Sequence, residues 1–176
     1  MKKSLFVIAM LSSSAVLAAN GDSYFGGGYH MGNYDETGFP SASPSALKIE
    51  YGRYITNSIA IEGHFAFGMS EDTISVDGID AEIEIEQAIS LFVKGDINLN
   101  ESVNLYGLAG FTKGKLKATL PDFDETISEN DSGFSYGLGL EAQTSGGIIF
   151  SGEYIMYLSE DEYDYSGINL GIAKKF

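Results

Sequence analysis

Along most of the chain, large apolar residues alternate with small or polar ones at every second position. Ile59, Ile61, Phe65 and Phe67 alternate with Ala60, Glu62, His64 and Ala66. Ile83, Ile85, Ile89, Leu91 and Val93 alternate with Glu84, Glu86, Ser90 and Lys94. Phe134, Tyr136, Leu138 and Leu140 oppose Gly133, Ser135, Gly137, Gly139 and Glu141, and Ile148, Phe150, Tyr154 and Met156 oppose Ile149, Ser151, Glu153 and Ile155. At the C-terminal end Ile168, Leu170, Ile172, Lys174 and Phe176 take one parity, and Asn169, Gly171, Ala173 and Lys175 the other. Side chains alternate across a strand, so this period predicts β-structure. Eight such segments span roughly 23–34, 45–55, 58–69, 81–95, 102–117, 132–143, 147–158 and 163–176. The connections ITNSI, GDINLNES and QTSGG are short; YDETGFPSASP, SEDTISVDGID, LPDFDETISEND and SEDEYD are mostly longer, and acidic. Short turns on one side and longer loops on the other describe an up-and-down antiparallel meander. Eight strands suffice to close it into a barrel without an exposed edge.

Two barrels share this pattern. A soluble, lipocalin-like barrel turns its apolar face inward around a ligand, whereas a membrane barrel turns it to lipid and packs polar residues inside. The other face decides. It is dominated by Gly, Ala and Ser, with a charge at one or two positions per strand. Lys, Glu and Thr would cover a water-facing sheet, but small residues suit the narrow inside of an eight-stranded barrel. The expected fold is an all-β, eight-stranded antiparallel up-and-down transmembrane barrel.

The first residues differ in kind. MKKSLFVIAMLSSSAVLAAN has two lysines, an apolar stretch and small residues after it, the layout of a secretory signal peptide. Residues 1–18 are expected to be removed, leaving a barrel domain over 19–176 with a formal charge of −17 in place of −15. That acidity argues against nucleic acid as a partner. No cysteine is present, so disulfides do not hold the fold. The three prolines, Pro40, Pro44 and Pro121, fall in expected loops.

YFGGGYHMG near the start, LYGLAGFTKGK in the fifth segment, and a last strand ending in Phe176 resemble small outer-membrane barrels of the OmpA/OmpX and Ail type. The resemblance implies location in a Gram-negative outer membrane, among its lipids and lipopolysaccharide. It also implies that the terminal aromatic strand, with Ile168, Leu170, Ile172 and Phe176, is read by the outer-membrane assembly machinery. Lys174 departs from the family pattern, which prefers an apolar residue two before the end. A lysine costs about 2–4 kcal/mol at mid-bilayer and about 0–1 near the interface, and this one is expected at the interface.

Several residues bear on chemistry. Lys48, Glu50, Glu62, Lys94, Glu141, Glu153 and Lys175 lie on the small-residue face with His64 nearby, and predict an interior polar network. It reads either as a plug of ion pairs or as a narrow ion path. Some eight-stranded outer-membrane barrels modify lipid A with a His, a Ser and an acid. Here neither His30 nor His64 has a serine two positions along its own strand, so no catalytic residue is assigned. PDFDET lacks the spacing and glycine of a calcium loop, so no metal or other cofactor is expected. The leading function is a non-enzymatic structural or cell-surface interaction role with acidic extracellular loops. A small-solute or ion channel is the alternative, and a lipid A-modifying enzyme the second. Finally, Glu82, Glu84 and Glu86 on the fourth segment and Lys113, Lys115 and Lys117 on the fifth predict a protruding, charge-paired hairpin. Its expected register sets Glu84 against Lys113, Glu82 against Lys115 and Asp80 against Lys117. That register would turn Tyr106, Leu108 and Gly110 to lipid; the alternative turns Val103, Leu105 and Phe111 outward.

Overall fold

A computed structural model of the chain describes residues 20–76, 79–121, 125–159 and 163–176; the signal segment and the acids at 77, 122, 124 and 160–162 lie outside these. The strands are β1 (Ser23–Glu36), β2 (Ser45–Tyr54), β3 (Ile59–Ser70), β4 (Asp72–Val76), β5 (Ile79–Asn98), β6 (Val103–Leu120), β7 (Glu125–Gln143), β8 (Ile148–Ser159) and β9 (Tyr163–Lys175). Apart from β3 and β4, consecutive strands pair antiparallel; β1 meets β9, and β3 pairs with β5. The result is a closed barrel of eight staves. The short β4 follows β3 after a break at Glu71 and lies against the far end of β5.

Turns at 55–58, 99–102 and 144–147 close one end. Asn100 shapes the second of these: its side-chain oxygen accepts from the Ser102 and Val103 amides at 2.9 and 3.0 Å. The other end is uneven. β2 has 10 residues and β3 has 12, close to the roughly 9–11 that a tilted transmembrane strand needs. β5, β6 and β7 have 20, 18 and 19. Two stretches expected as loops therefore contain strand: β4 lies within SEDTISVDGID, and β7 begins at Glu125, within LPDFDETISEND, instead of near 132. Thr126, Ile127, Ser128 and Asn130 are backed by β6, and their mostly polar side chains leave no strong apolar period to read.

The apolar parity faces outward around the wall, with Phe25, Ile49, Phe65, Leu91, Phe134, Phe150 and Leu170 all exposed. The small and charged parity faces inward. No described helix is long and apolar enough to cross a membrane, which says nothing of strands.

Candidate functional site

The inward charges meet in the barrel interior. The Lys48 ammonium on β2 lies 2.7 Å from Glu50 and is also paired with Glu153 on β8. The Tyr106 hydroxyl on β6 donates to Glu153 at 2.7 Å. Lys94 on β5 donates to Glu141 on β7 at 2.5 Å and lies 3.7 Å from Asp96. Asn104 donates to the second oxygen of Glu141 at 2.9 Å. Lys94 is also 4.4 Å from the Tyr106 ring centre and 5.1 Å from that of Tyr24, so aromatic faces carry part of its solvation. Glu62 accepts from the Tyr24 hydroxyl and pairs with His64. Toward the loop end, His30 meets Tyr165 and Asn169, and Asn169 donates to Tyr157 at 3.0 Å. Toward the turn end, Lys175 lies 3.4 Å from Asp22.

Sequence reasoning missed the tyrosines in this network. Tyr106 and Leu108, expected toward lipid, are each 3 % exposed, while Phe111 is 68 % exposed. A signal was available in the opposing glycines. Gly139 stands across from Tyr106 and Gly52 across from Tyr24. A Cβ at Gly139 would fall 2.3 Å from the Tyr106 ring, and one at Gly52 would fall 2.0 Å from that of Tyr24. Each glycine is the space into which a neighbouring phenol folds.

Two cavities remain among these groups, of about 20 and 10 Å³, each room for about one water. The larger is lined by His30, Lys48, His64 and Ser90. Ser90 lies directly across from His64 on the neighbouring strand, so a serine, a histidine and Glu62 do sit together. Ser90 accepts from Thr112 at 2.8 Å, and Thr112 from Ser135 at 2.8 Å. A one-water cavity offers this trio no room for an acyl substrate.

The expected hairpin register is wrong by four residues. Glu84 lies across from Lys117, Glu82 across from Thr119, and Lys113 across from Ile89. The turn at 99–102 sets this count from below. A β-bulge then places both Glu86 and Gln87 opposite Lys115. The extra residue reverses the parity of β5: Ile89 is 57 % exposed, yet Ile85, expected outward, is 2 % exposed. Lys115 lies 2.7 Å from Glu86, and Lys117 lies 3.1 Å from Glu84. Hydrogen bonding to Glu84 holds the Lys117 ammonium above the ordinary lysine range. Lys113 is exposed on the same side. Tyr106 inside and a lysine–glutamate ladder outside looked exclusive in sequence; the bulge permits both.

Ile168, Leu170, Ile172 and Phe176 line the outer wall, all exposed. Phe176 closes the sheet through backbone bonds to Ser23, and Lys174 donates to the Gly146 carbonyl at the turn end.

The model of the outer membrane protein beta-barrel domain family matches residues 4–176. An attachment invasion locus protein of Yersinia pseudotuberculosis is 26 % identical over 184 aligned positions, covering 100 % of this chain and 98 % of its own. Ail of Yersinia pestis, solved with the heparin analogue sucrose octasulfate, is similar with a TM-score of 0.66 at 25 % identity, covering 89 % of this chain and 99 % of its own. Neisserial surface protein A shares the fold at a TM-score of 0.66 and 13 % identity, over 89 % of this chain and 100 % of its own. The family model spans nearly the whole of this closed eight-stranded wall, and the chain belongs to the outer membrane protein beta-barrel domain family of the Gram-negative outer membrane.

Proposed function

We propose that this protein is a non-enzymatic cell-surface interaction barrel, with its turns and both termini toward the periplasm and its long strands outside the cell. The observation that carries this reading is the length of β5, β6 and β7, which run to 20, 18 and 19 residues where about 9–11 span the bilayer. The excess is a sheet held clear of the membrane, offered to whatever the cell meets. Attachment is the role named for the Yersinia relatives. The ion-pair network fills the barrel as a plug, leaving spaces of about 20 and 10 Å³, which disfavours both a channel and a lipid A-modifying enzyme. Residues 1–18 direct export, Phe176 and the apolar parity of β9 address the chain to the assembly machinery, and lipopolysaccharide surrounds the outer half of the wall.

Attachment of bacteria to cultured epithelial cells tests the reading. Cells producing the full chain should adhere, and those with residues 116–129 replaced by Asn-Gly should not, at equal amounts of heat-modifiable folded protein. Unchanged adherence would overturn it, as would ion conductance of the full chain in a planar bilayer. Deleting Phe176 should separately reduce the folded outer-membrane form and leave protease-sensitive chain in the periplasm; wild-type insertion would refute the address.

A further inference from the structure

Above the wall, the sheet of β5, β6 and β7 has two unlike faces. On one, Glu84, Lys117 and Ser128 lie side by side, as do Glu82, Thr119 and Thr126. This is an ordinary water-facing surface. On the other, Ile83, Ala118 and Ile127 form a row across the three strands, with Leu116 the next inward residue of β6. A sheet bathed in water on both faces gains nothing from such a row, yet Ile127 is 49 % exposed. These side chains overlook the barrel mouth, where the rings of Tyr34 and Tyr163 stack at 5.4 Å. Together they enclose an open recess of about 80 Å³, larger than the spaces of about 20 and 10 Å³ among the interior charges.

Asp131 lines this recess, and three more carboxylates stand at neighbouring positions. Asp131 accepts from the Tyr163 hydroxyl, and Glu36 accepts from that of Tyr34 at 2.9 Å. Asp72 on β4, whose carboxylate also accepts from the Ser43 and Thr73 amides, stands across from Ile83, and Glu125 on β7 across from Leu120. The cation that touches the recess, Lys117, has its ammonium bound to Glu84 on the opposite face. An apolar floor within a carboxylate collar defines a ligand by complementarity.

We infer that the recess docks a cationic amphipathic polypeptide segment, its apolar side chains on Ile83, Ala118 and Ile127 and its Lys or Arg side chains on the collar. The inference rests on the proposed outward orientation and names the class of partner for it. A sulfated sugar such as the one held by Yersinia pestis Ail is an anion, and this collar repels it. A second copy would bring an identical acidic collar against the first.

The test uses the full chain in phosphatidylcholine nanodiscs, with empty nanodiscs as the blank and fluorescence anisotropy of short labelled peptides as the readout. Strand-patterned Leu/Lys, Ser/Lys and Leu/Glu peptides are compared, together with competition by sucrose octasulfate. The Leu/Lys peptide should bind at least about tenfold more tightly than either control, weaken as salt screens the collar, and resist the polyanion at the protein. Combining Ile83→Ser with Ile127→Ser should cost about tenfold in affinity, whereas Ile127→Met should retain it, both with an unchanged heat-modifiable band. Equal binding of the Ser/Lys peptide, binding of the Leu/Glu peptide or of sucrose octasulfate, or indifference to the paired serine changes would each overturn the inference. If the hairpin replacement abolishes adherence but the Leu/Lys peptide does not bind, the partner class is wrong and the surface role stands. If adherence survives the replacement, the surface role itself falls.

Discussion

Within the wall, β5 and β6 turn Leu91, Val93 and Phe111 outward and Ser90, Lys94 and Tyr106 inward. Higher on the same strands, Glu84, Lys115 and Lys117 stand outside, while Ile85 is buried and Leu116 faces the mouth. The solvent changes from hydrocarbon to water, and the surface chemistry inverts with it. The two strands achieve this differently. β6 changes the residues at fixed parity, from Phe111 to Lys113, Lys115 and Lys117 outside and from Thr112 to Leu116 inside. β5 keeps its isoleucines at odd positions throughout and inverts their direction with the bulge at Glu86 and Gln87. An apolar period of two therefore reports a strand reliably, but reports the side it faces only between bulges.

The contrast between wall and upper sheet can be broken at several points. The largest effect is expected inside the wall. Glu153→Leu leaves Lys48 and Tyr106 without their shared acceptor, and breaking a buried pair costs about 3–5 kcal/mol, measured by urea unfolding in micelles. Leu138→Ala on the lipid face should cost at most about 2 kcal/mol, and the reverse order would mean the faces are inverted.

Deleting Ile85 should come next. Whether the bulge is kept or lost, a glutamate, Glu84 or Glu86, then takes the buried place opposite Leu116. The expected cost is about 2 kcal/mol, with new tryptic cleavage at Lys115 and Lys117 but an intact heat-modifiable barrel. Deleting Glu86 instead should cost less, because Gln87 stays opposite Lys115 and Ile85 opposite Leu116; a larger loss from the Glu86 deletion would overturn the assignment of the bulge.

The ladder outside is worth less. Reversing Lys115 and Lys117 to Glu should weaken the hairpin slightly, read as faster tryptic cleavage above the wall, and converting Glu84 and Glu86 to Lys in the same chain should restore it. Lys113→Glu should show no coupling to either. The smallest effect concerns pH. Because Lys117 binds its proton more tightly when folded, its contribution is complete below the unfolded lysine value of about 10.4 and fades as pH rises through the folded one. Hairpin protection that was flat across this alkaline window in wild type, or that fell equally with Lys117→Gln, would argue against the pair.

Much of this molecule was legible before its structure. All eight staves, the outward parity of most of them and the inward set from Lys48 to Glu153 follow from alternation and from the small residues that oppose it. Four things were not. The parity of β6 was left between two faces because Tyr106 and Leu108 are as large and apolar as Leu105 and Phe111, and the assumed hairpin register favoured the wrong one; only Gly139, distant in sequence, betrays the space that Tyr106 occupies. The bulge was invisible because the residues around it continue an unbroken period. β4 and the upper part of β7 read as loops because polar side chains on a water-facing sheet resemble those of a loop; the backbone pairing that distinguishes them is not a local property. The serine beside His64 escaped for the same reason, since Ser90 comes from a neighbouring strand.

The bulge at Glu86 also gives the protein a splice point. Below it, each inward side chain must fit a crowded lumen shared by eight staves; above it, the strands answer only to one another and to the surroundings. A hairpin taken from another barrel at this height would need to match the spacing of two strands and not the packing of the whole interior. Surface specificity could thus be exchanged like a tool bit while the shank stays in the membrane.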